Sequence, residues 1–337
     1  MGRVAASPLP VAIAAGAKRP RRLRRSAQLR SLVRETRLSP AAMIAPIFVI
    51  SGRDRREPIA SMPGHARLSP DLATLQAREL AGMGVGGVLL FGIPDEKEPF
   101  GRGASDPEGP VPTALRRIRD AGTNLVLAAD VCLCEYTSHG HCGVLDGREI
   151  DNDATLPLLA DAAVAYADAG ADIVAPSAMM DGQVAALRAG LDASGHSQTA
   201  IMAYSSKHSS ALYGPFREAA GSTPSFGDRK AYQMDFANGR EALHEMELDA
   251  AEGADILMVK PALTSLDILA GARATFNLPL AAYQVSGEMA MIEAAAARGW
   301  IDRKQAALEC TTAIARAGAD VIITYLAADL ARWIADA

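Results

Sequence analysis

The sequence predicts an α/β protein, a (β/α)8 TIM barrel with an extended N-terminal arm, and three observations carry that prediction. A short pattern recurs: A-G-A-D-I-V at 169–174, E-G-A-D-I-L at 252–257 and A-G-A-D-V-I at 317–322. In each, an Ala-rich helical stretch ends at a glycine, the residue that most readily adopts the left-handed conformation past a helix end. The short apolar run that follows suits a strand buried on both faces. Five related runs, at 43–50, 85–92, 124–131, 199–205 and 279–286, bring the strand candidates to eight. Helical patterns at 72–83, 156–169, 239–252 and 304–317 separate several of them. Eight strands alternating with helices point to a closed barrel. A doubly wound open sheet is the alternative, weakened because no G-x-G-x-x-G turn follows an early strand.

Composition bounds the rest. Of 337 residues, 49% are hydrophobic but only 5% aromatic, so Ala, Val, Ile and Leu must fill most of the core. A net charge of -5 gives no global nucleic-acid footprint. No run of eighteen apolar residues is present to span a membrane. The N-terminus differs. A-K-R-P-R-R-L-R-R-S at 17–26 is strongly basic, and the first acidic residue is Glu35. Such a run binds nucleic acid, directs import or forms a solvated arm on a partner subunit; the arm is the expectation. Residues 1–16, rich in Ala, Gly and Pro, are expected to be disordered and lack the ordered features of a secretory signal. The expected division is a tail and arm over 1–42 and a catalytic barrel over 43–337. Four cysteines without an export signal predict a reducing, cytoplasmic location and argue against a disulfide.

Spacing along the chain exposes an insertion. Gly253 and Gly318 lie 65 residues apart for two strand–helix units, whereas Gly170 and Gly253 lie 83 apart. The excess falls after strand five, in 207–233, a Gly- and Ser-rich segment with Arg217, Arg229 and Lys230. Long loops at that end of a barrel strand usually cover the active site, so this one is expected to be a lid. Strand ends are also where barrel chemistry resides. Asp130, Ser177, Lys207, Lys260, Ser286 and Tyr325 all fall there. A lysine on a buried strand end loses solvation, which favours the neutral amine that attacks a ketone to form a Schiff base. Lys260 and Lys207 are candidates of this kind, and each would depress the other's pKa. The alternative for either is a lysine reaching solvent or paired with a carboxylate.

Three of the four cysteines, Cys132, Cys134 and Cys142, crowd the end of strand three as C-x-C-x7-C. Structural zinc sites use four ligands in paired knuckles, and no matching fourth thiol is nearby. Three thiolates plus an open position is a catalytic arrangement and suits Zn2+ over Mg2+. His141 is either a further ligand or a supporting group. Three buried free thiols are the alternative, and Cys310 reads as core. Arg217 and Arg229 are either solvated or form a carboxylate clamp.

Taken in order, these segments resemble the porphobilinogen synthase (5-aminolevulinate dehydratase) family over roughly residues 19–330. The matching motifs are R-P-R-R-L-R-R, D-V-C-L-C-E-Y-T-S-H-G-H-C-G-V-L, A-P-S-A-M-M-D-G, Y-S-S-K-H-S-S-A-L-Y-G-P-F-R, F-G-D-R-K-A-Y-Q-M, M-V-K-P, Q-V-S-G-E and I-T-Y. The resemblance implies a (β/α)8 barrel that joins two 5-aminolevulinate molecules into porphobilinogen, releasing two waters. It implies that Lys260 forms the Schiff base with the substrate supplying the propionate side chain, whose carboxylate Ser286 and Tyr325 hold. Lys207 would be the second Schiff-base lysine, with Arg217, Arg229 and Gln233 binding the other carboxylate. Cys132, Cys134 and Cys142 would hold catalytic zinc, and Asp130 and Ser177 would line the pocket. Glu245 matches a glutamate tied to an allosteric Mg2+ site. The family's assembly implies a homo-octamer, or a hexamer, with the N-terminal arm wrapping a neighbour; no nucleic-acid or membrane partner is expected. Two other classes compete: another Schiff-base barrel enzyme such as a class I aldolase, and a zinc-storing or nucleic-acid-binding protein using the basic arm.

Overall fold

The computed structural model describes residues 18–336. Expectations for residues 1–17 lie outside this range. The chain divides after Arg37 into two compact units. In the described part of the first, a 3-10 turn at Pro20–Arg24 precedes a short helix, Ala27–Leu32. Ser26 caps that helix, accepting from Leu29 N at 3.2 Å.

The second unit is a closed parallel barrel. Its strands are β1 Met43–Ile50, β2 Gly87–Ile93, β3 Val126–Val131, β4 Ile173–Pro176, β5 Ala200–Lys207, β6 Ile256–Lys260, β7 Leu280–Gln284 and β8 Val321–Thr324. Each pairs with the next in sequence, and β8 returns to β1, with Met43 opposite Ile322 and Ile44 opposite Ile323. That last pairing excludes the open sheet. All eight runs form strands, and β1 spans the expected 43–50. A hairpin of Arg56–Pro58 and Ala66–Leu68 extends the sheet beside β1, and a smaller one, Leu145–Asp146 with Glu149–Ile150, follows the cysteine segment.

Helices return the chain between strands, and their ends are written locally. Pro70 and Pro110 open the helices Pro70–Gly82 and Pro110–Asp120, where a missing N–H leaves no bond unmade. Asp151 caps Asn152–Asp168, accepting from Ala154 N at 2.9 Å. Gly253, at φ +105°, ends Gly239–Glu252 in a conformation a β-carbon would strain.

The recurring Gly-Ala-Asp acquires a physical reason. Asp172, Asp255 and Asp320 each precede a strand, and each carboxylate accepts a backbone N–H at or near the start of the preceding strand: Leu127, Ile201 and Leu280, all at 2.8 Å. The same aspartates donate their own N–H to the carbonyls of those residues. The pattern therefore ties neighbouring strands together at the barrel's N-terminal end, the face that serves stability rather than chemistry. Apolar strand residues fill the core; every residue of β1 is buried, and small residues such as Ala128, Ala129, Ala203, Ala281 and Ala282 are fully enclosed. No helix among the described residues is long and apolar enough to cross a membrane.

Candidate active site

Lys207 and Lys260 are the last residues of β5 and β6 and stand opposite each other in the strand register. The strand runs through Lys207 rather than stopping before it. Both side chains are 5% exposed. Their surroundings differ. The Lys260 Nζ sits 4.4 Å from the ring centre of Tyr283, 4.8 Å from Tyr204, 5.2 Å from Tyr213 and 5.3 Å from Phe216. Burial is the largest influence on this amine, and the positive charge of Lys207 adds to it; together they bring its pKa down to about 7. Lys207 instead donates to the backbone carbonyl of Ser177. Asp130, near the end of β3, accepts from Ser177 Oγ at 2.9 Å. Burial raises the Asp130 carboxyl, with both lysines opposing the shift. Its other oxygen, Oδ1, has no partner among the described residues.

The three thiols gather beside this pair. One ligand atom each from Cys132, Cys134 and Cys142 lies within 4.8 Å of the others, and all three residues are buried. Thiol hydrogen bonds from Cys132 and Cys134, then the charges of Arg229 and Lys207, hold Cys142 well below its ordinary value. The other two are pushed well up: burial leads for Cys132, while at Cys134 a bond to Cys132 that lowers the value is outweighed by the bond to Cys142, burial and Glu135. The donor set fits a soft divalent cation: thiolates are zinc's preferred ligands, and three of them leave one tetrahedral position. Neither nearby histidine belongs to the cluster. His141 contacts Tyr232 Oη at 3.1 Å and Phe226 O at 3.0 Å through its two ring nitrogens, and His139 contacts Pro99 O and His141 N. His141 thus ties the 207–233 segment to the thiol loop. Cys310 lies on the helix Arg303–Ala317, partly buried against the core.

The 207–233 segment lies over this mouth. It forms a 3-10 turn at Ala211–Tyr213, a helix at Gly214–Ala220, and an irregular return. Phe216 packs on Phe91 and Phe48, with ring centres 5.1 and 5.7 Å away. Two glycines permit the close approach. A β-carbon at Gly140 would fall 2.5 Å from Thr223 O, and one at Gly287 2.5 Å from Leu212 O. Arg229, 5% exposed, donates to Gly140 O at 2.8 Å and to Ser222 O. Its Nε, the Nε of Arg217, and both amide atoms of Gln233 are buried without partners among the described residues. A carboxylate supplies the acceptors that the two Nε groups and Gln233 Nε2 lack; Gln233 Oε1 is itself an acceptor. Ser286 Oγ accepts from Phe216 N at 3.0 Å, and Tyr325 Oη lies 3.0 Å from Tyr283 Oη. Glu245, on the helix Gly239–Glu252, lines a cleft of about 690 Å3 with Asp181, Glu241 and Asp249, and His141, Tyr232 and Gln233 line the same cleft. Burial and its acidic neighbours raise its carboxyl.

A model of the delta-aminolevulinic acid dehydratase family matches residues 17–333. The chain belongs to that family, one of hydro-lyases. A delta-aminolevulinic acid dehydratase of Synechococcus elongatus is 53% identical over 321 residues, spanning 94% of this chain and 98% of that protein. One from Bacillus subtilis is 50% identical over 318 residues, again spanning 94% and 98%. The crystal structure of a Toxoplasma gondii delta-aminolevulinic acid dehydratase (porphobilinogen synthase) with its reaction product porphobilinogen is 44% identical. It superposes with a TM-score of 0.92, over 96% of this chain and 92% of the other. The family's barrel is therefore the fold seen here.

Sequence reasoning missed two features of the site. The rings around Lys260 come from Tyr204 and Tyr283 on strands, where aromatics read as core, and from Tyr213 and Phe216 in the covering segment. Glu135, 2% exposed beside Cys134, was passed over because glutamates in loops are normally solvated. Its neighbours in the motif were the only signal.

Proposed function

We propose that this protein condenses two molecules of 5-aminolevulinate into porphobilinogen with loss of two waters. The observation that carries this reading is the pair of buried lysines in register at the ends of β5 and β6, in unlike surroundings. A reaction that joins two copies of one amino ketone must hold them differently. Lys260, whose pKa burial brings down to about 7, attacks the ketone of the molecule that supplies the propionate side chain. Ser286 and Tyr325 hold that molecule's carboxylate. Lys207 forms the second Schiff base, and Arg217, Arg229 and Gln233 take the other carboxylate with donors now unpaired. Asp130, with Ser177 on one oxygen, is placed to accept and return a proton beside both amines. The segment 207–233 excludes water, which dehydration requires.

Cys132, Cys134 and Cys142 would hold Zn2+, which would supply Lewis-acid chemistry at this end of the site. The acidic cleft containing Glu245 is proposed to take an activating Mg2+. Residues 1–42 are proposed as the arm that wraps a neighbouring subunit in an octamer or hexamer.

A pyrrole assay with metal analysis on one preparation tests the reading. Purified protein given 5-aminolevulinate, zinc and a thiol reductant forms a pyrrole detected by Ehrlich's reagent, and chelation stops it. Absence of pyrrole under those conditions rejects the function. An aldolase leaves the thiols and the second lysine unexplained; borohydride trapping with other ketones separates the two.

A further inference from the structure

Glu288, the third residue of the helix Ser286–Ala297, has no exposed surface. The reaction as proposed leaves it without a task. Its two oxygens serve different strand ends. Oε1 accepts from Leu263 N at 2.5 Å, three residues past Lys260. Oε2 accepts from Val285 N, one residue before Ser286. A single carboxylate thus joins the chain leaving β6 to the chain leaving β7. The strand register between β6 and β7 ends at Val259 opposite Ala282, short of both Lys260 and Ser286. Beyond it, Ala262 N donates to Tyr283 O at 2.9 Å, and Glu288 makes the next connection.

Enclosing a carboxylate is unfavourable, and burial raises this carboxyl to about 7. The backbone donors of Leu263, Val285 and Ala262, and then the charge of Lys260, oppose that rise by favouring the ionised form. An apolar side chain of the same volume would avoid the burial cost, but it would take the acceptor from two backbone donors. Both oxygens are engaged by backbone, which suits holding rather than proton transfer.

What Glu288 holds is an interval. Lys260 and Ser286 are proposed to grip the ketone and the carboxylate of one substrate molecule, and they come from different strand ends. Phe216 also adjoins both, with its N–H 3.0 Å from Ser286 Oγ and its ring centre 5.3 Å from Lys260 Nζ. Phe216, however, belongs to the covering segment, whereas Glu288 is built into the barrel. We infer that Glu288 is a positioning residue that sets the interval between the Lys260 amine and the Ser286 hydroxyl. It thereby selects the number of carbons between ketone and carboxylate in the molecule bound at Lys260. The inference rests on the roles proposed for Lys260 and Ser286.

Competitive borohydride trapping on the full-length protein, with zinc supplied, tests it; the Lys260 peptide is read by mass spectrometry. Three ketones serve as probes. 4-Oxopentanoate has the two-carbon interval of the substrate, 5-oxohexanoate has one carbon more, and butanone lacks the carboxylate. The wild type is expected to favour 4-oxopentanoate over 5-oxohexanoate about 10-fold or more, the scale of one misfitted methylene. Glu288→Gln keeps the size and turns one accepting oxygen into a donor. There the preference is lost while trapping by butanone is unchanged. Ser286→Ala loses the preference too, and adding Glu288→Gln lowers it no further, because one residue acts through the other. If Glu288→Gln fails to fold, Glu288→Asp, whose acceptors are drawn back by one carbon, carries the same expectation. A preference that survives substitution of Glu288, or a further loss in the double variant, overturns the inference and leaves Lys260 as the nucleophile. Equal loss with all three ketones marks packing alone and also overturns it. A wild type without chain-length preference overturns it whatever the variants do. Trapping at Lys260 by none of the ketones overturns the Schiff-base reading as well.

Discussion

Two lysines one strand apart have unlike surroundings, although the Tyr204 ring lies within 5.5 Å of both amines and Asp130 is in electrostatic reach of both. Four aromatic rings surround the Lys260 amine, which donates no hydrogen bond among the described residues. Lys207 donates to the Ser177 carbonyl on the side where Asp130, the thiols and Arg229 gather. The barrel backbone treats them alike, since they are register partners. What distinguishes them is what neighbouring strands and the covering segment place around each. The lesson concerns selectivity between identical substrates: the molecules carry no difference, so the site must. Burial among rings removes the solvation that stabilises the Lys260 charge, which favours the neutral amine.

Exchanging either lysine is the harshest way to break this asymmetry. Lys260→Met is expected to lower kcat by about 10⁴-fold or more, as loss of a nucleophile does. The thiols and bound metal remain. Borohydride trapping with labelled substrate, read by peptide mass spectrometry, should then show only traces at Lys207. In Lys207→Met, trapping at Lys260 should persist although turnover is lost. Equal trapping at the surviving lysine in both variants would show that the surroundings confer no order.

Arg217 probes the polar side alone. Its Nε lacks a partner among the described residues and its side chain is half-buried, which is why it is proposed to take a substrate carboxylate. Arg217→Gln is expected to raise KM about 10–100-fold, the scale of one charge-assisted hydrogen bond. Trapping at Lys260 by a simple ketone lacking a carboxylate should be unchanged. Should both readouts fall together, Arg217 supports the covering helix rather than the substrate.

A pH series sharpens the aromatic side. Schiff-base formation needs the neutral amine, so the rate of trapping at Lys260 rises with pH through about 7 and levels off above it. Burial is the first cause and Lys207 the second, so Lys207→Met moves the midpoint upward without restoring the ordinary lysine value. The same shift is linked to stability. Between about 7 and the ordinary 10.5, the unfolded chain holds a proton that native Lys260 lacks. Its contribution therefore becomes more favourable as pH rises through that window and is least favourable below it. A trapping midpoint near 10 would remove the basis for the contrast between the lysines.

Much of this arrangement was legible in the sequence, and the exceptions share a cause. The Gly-Ala-Asp repeat announced the barrel because backbone connections at its N-terminal end recur, with Asp172, Asp255 and Asp320 in the same role. Lys207 and Lys260 stood out because a charge at the end of an apolar run is unusual. Tyr204 and Tyr283 did not, because a tyrosine in a buried strand looks the same whether it packs a core or walls an amine. Glu135 was hidden for the opposite reason: it is 2% exposed although it lies in a loop, where a glutamate is normally solvated.

The finest division is between ring and hydroxyl at Tyr283. Its ring centre lies 4.4 Å from the Lys260 Nζ, while its hydroxyl lies 3.0 Å from that of Tyr325. Tyr283→Phe keeps the ring and removes the hydroxyl, leaving Tyr325 without that partner. Loss of one buried neutral hydrogen bond is expected to lower stability by about 1 kcal/mol in denaturant unfolding. If the rings set the amine's environment, the pH midpoint for trapping at Lys260 stays in place, and only KM changes, through Tyr325. A moved midpoint with unchanged KM would instead assign the tuning of Lys260 to the hydroxyl pair, and the aromatic wall would be packing alone.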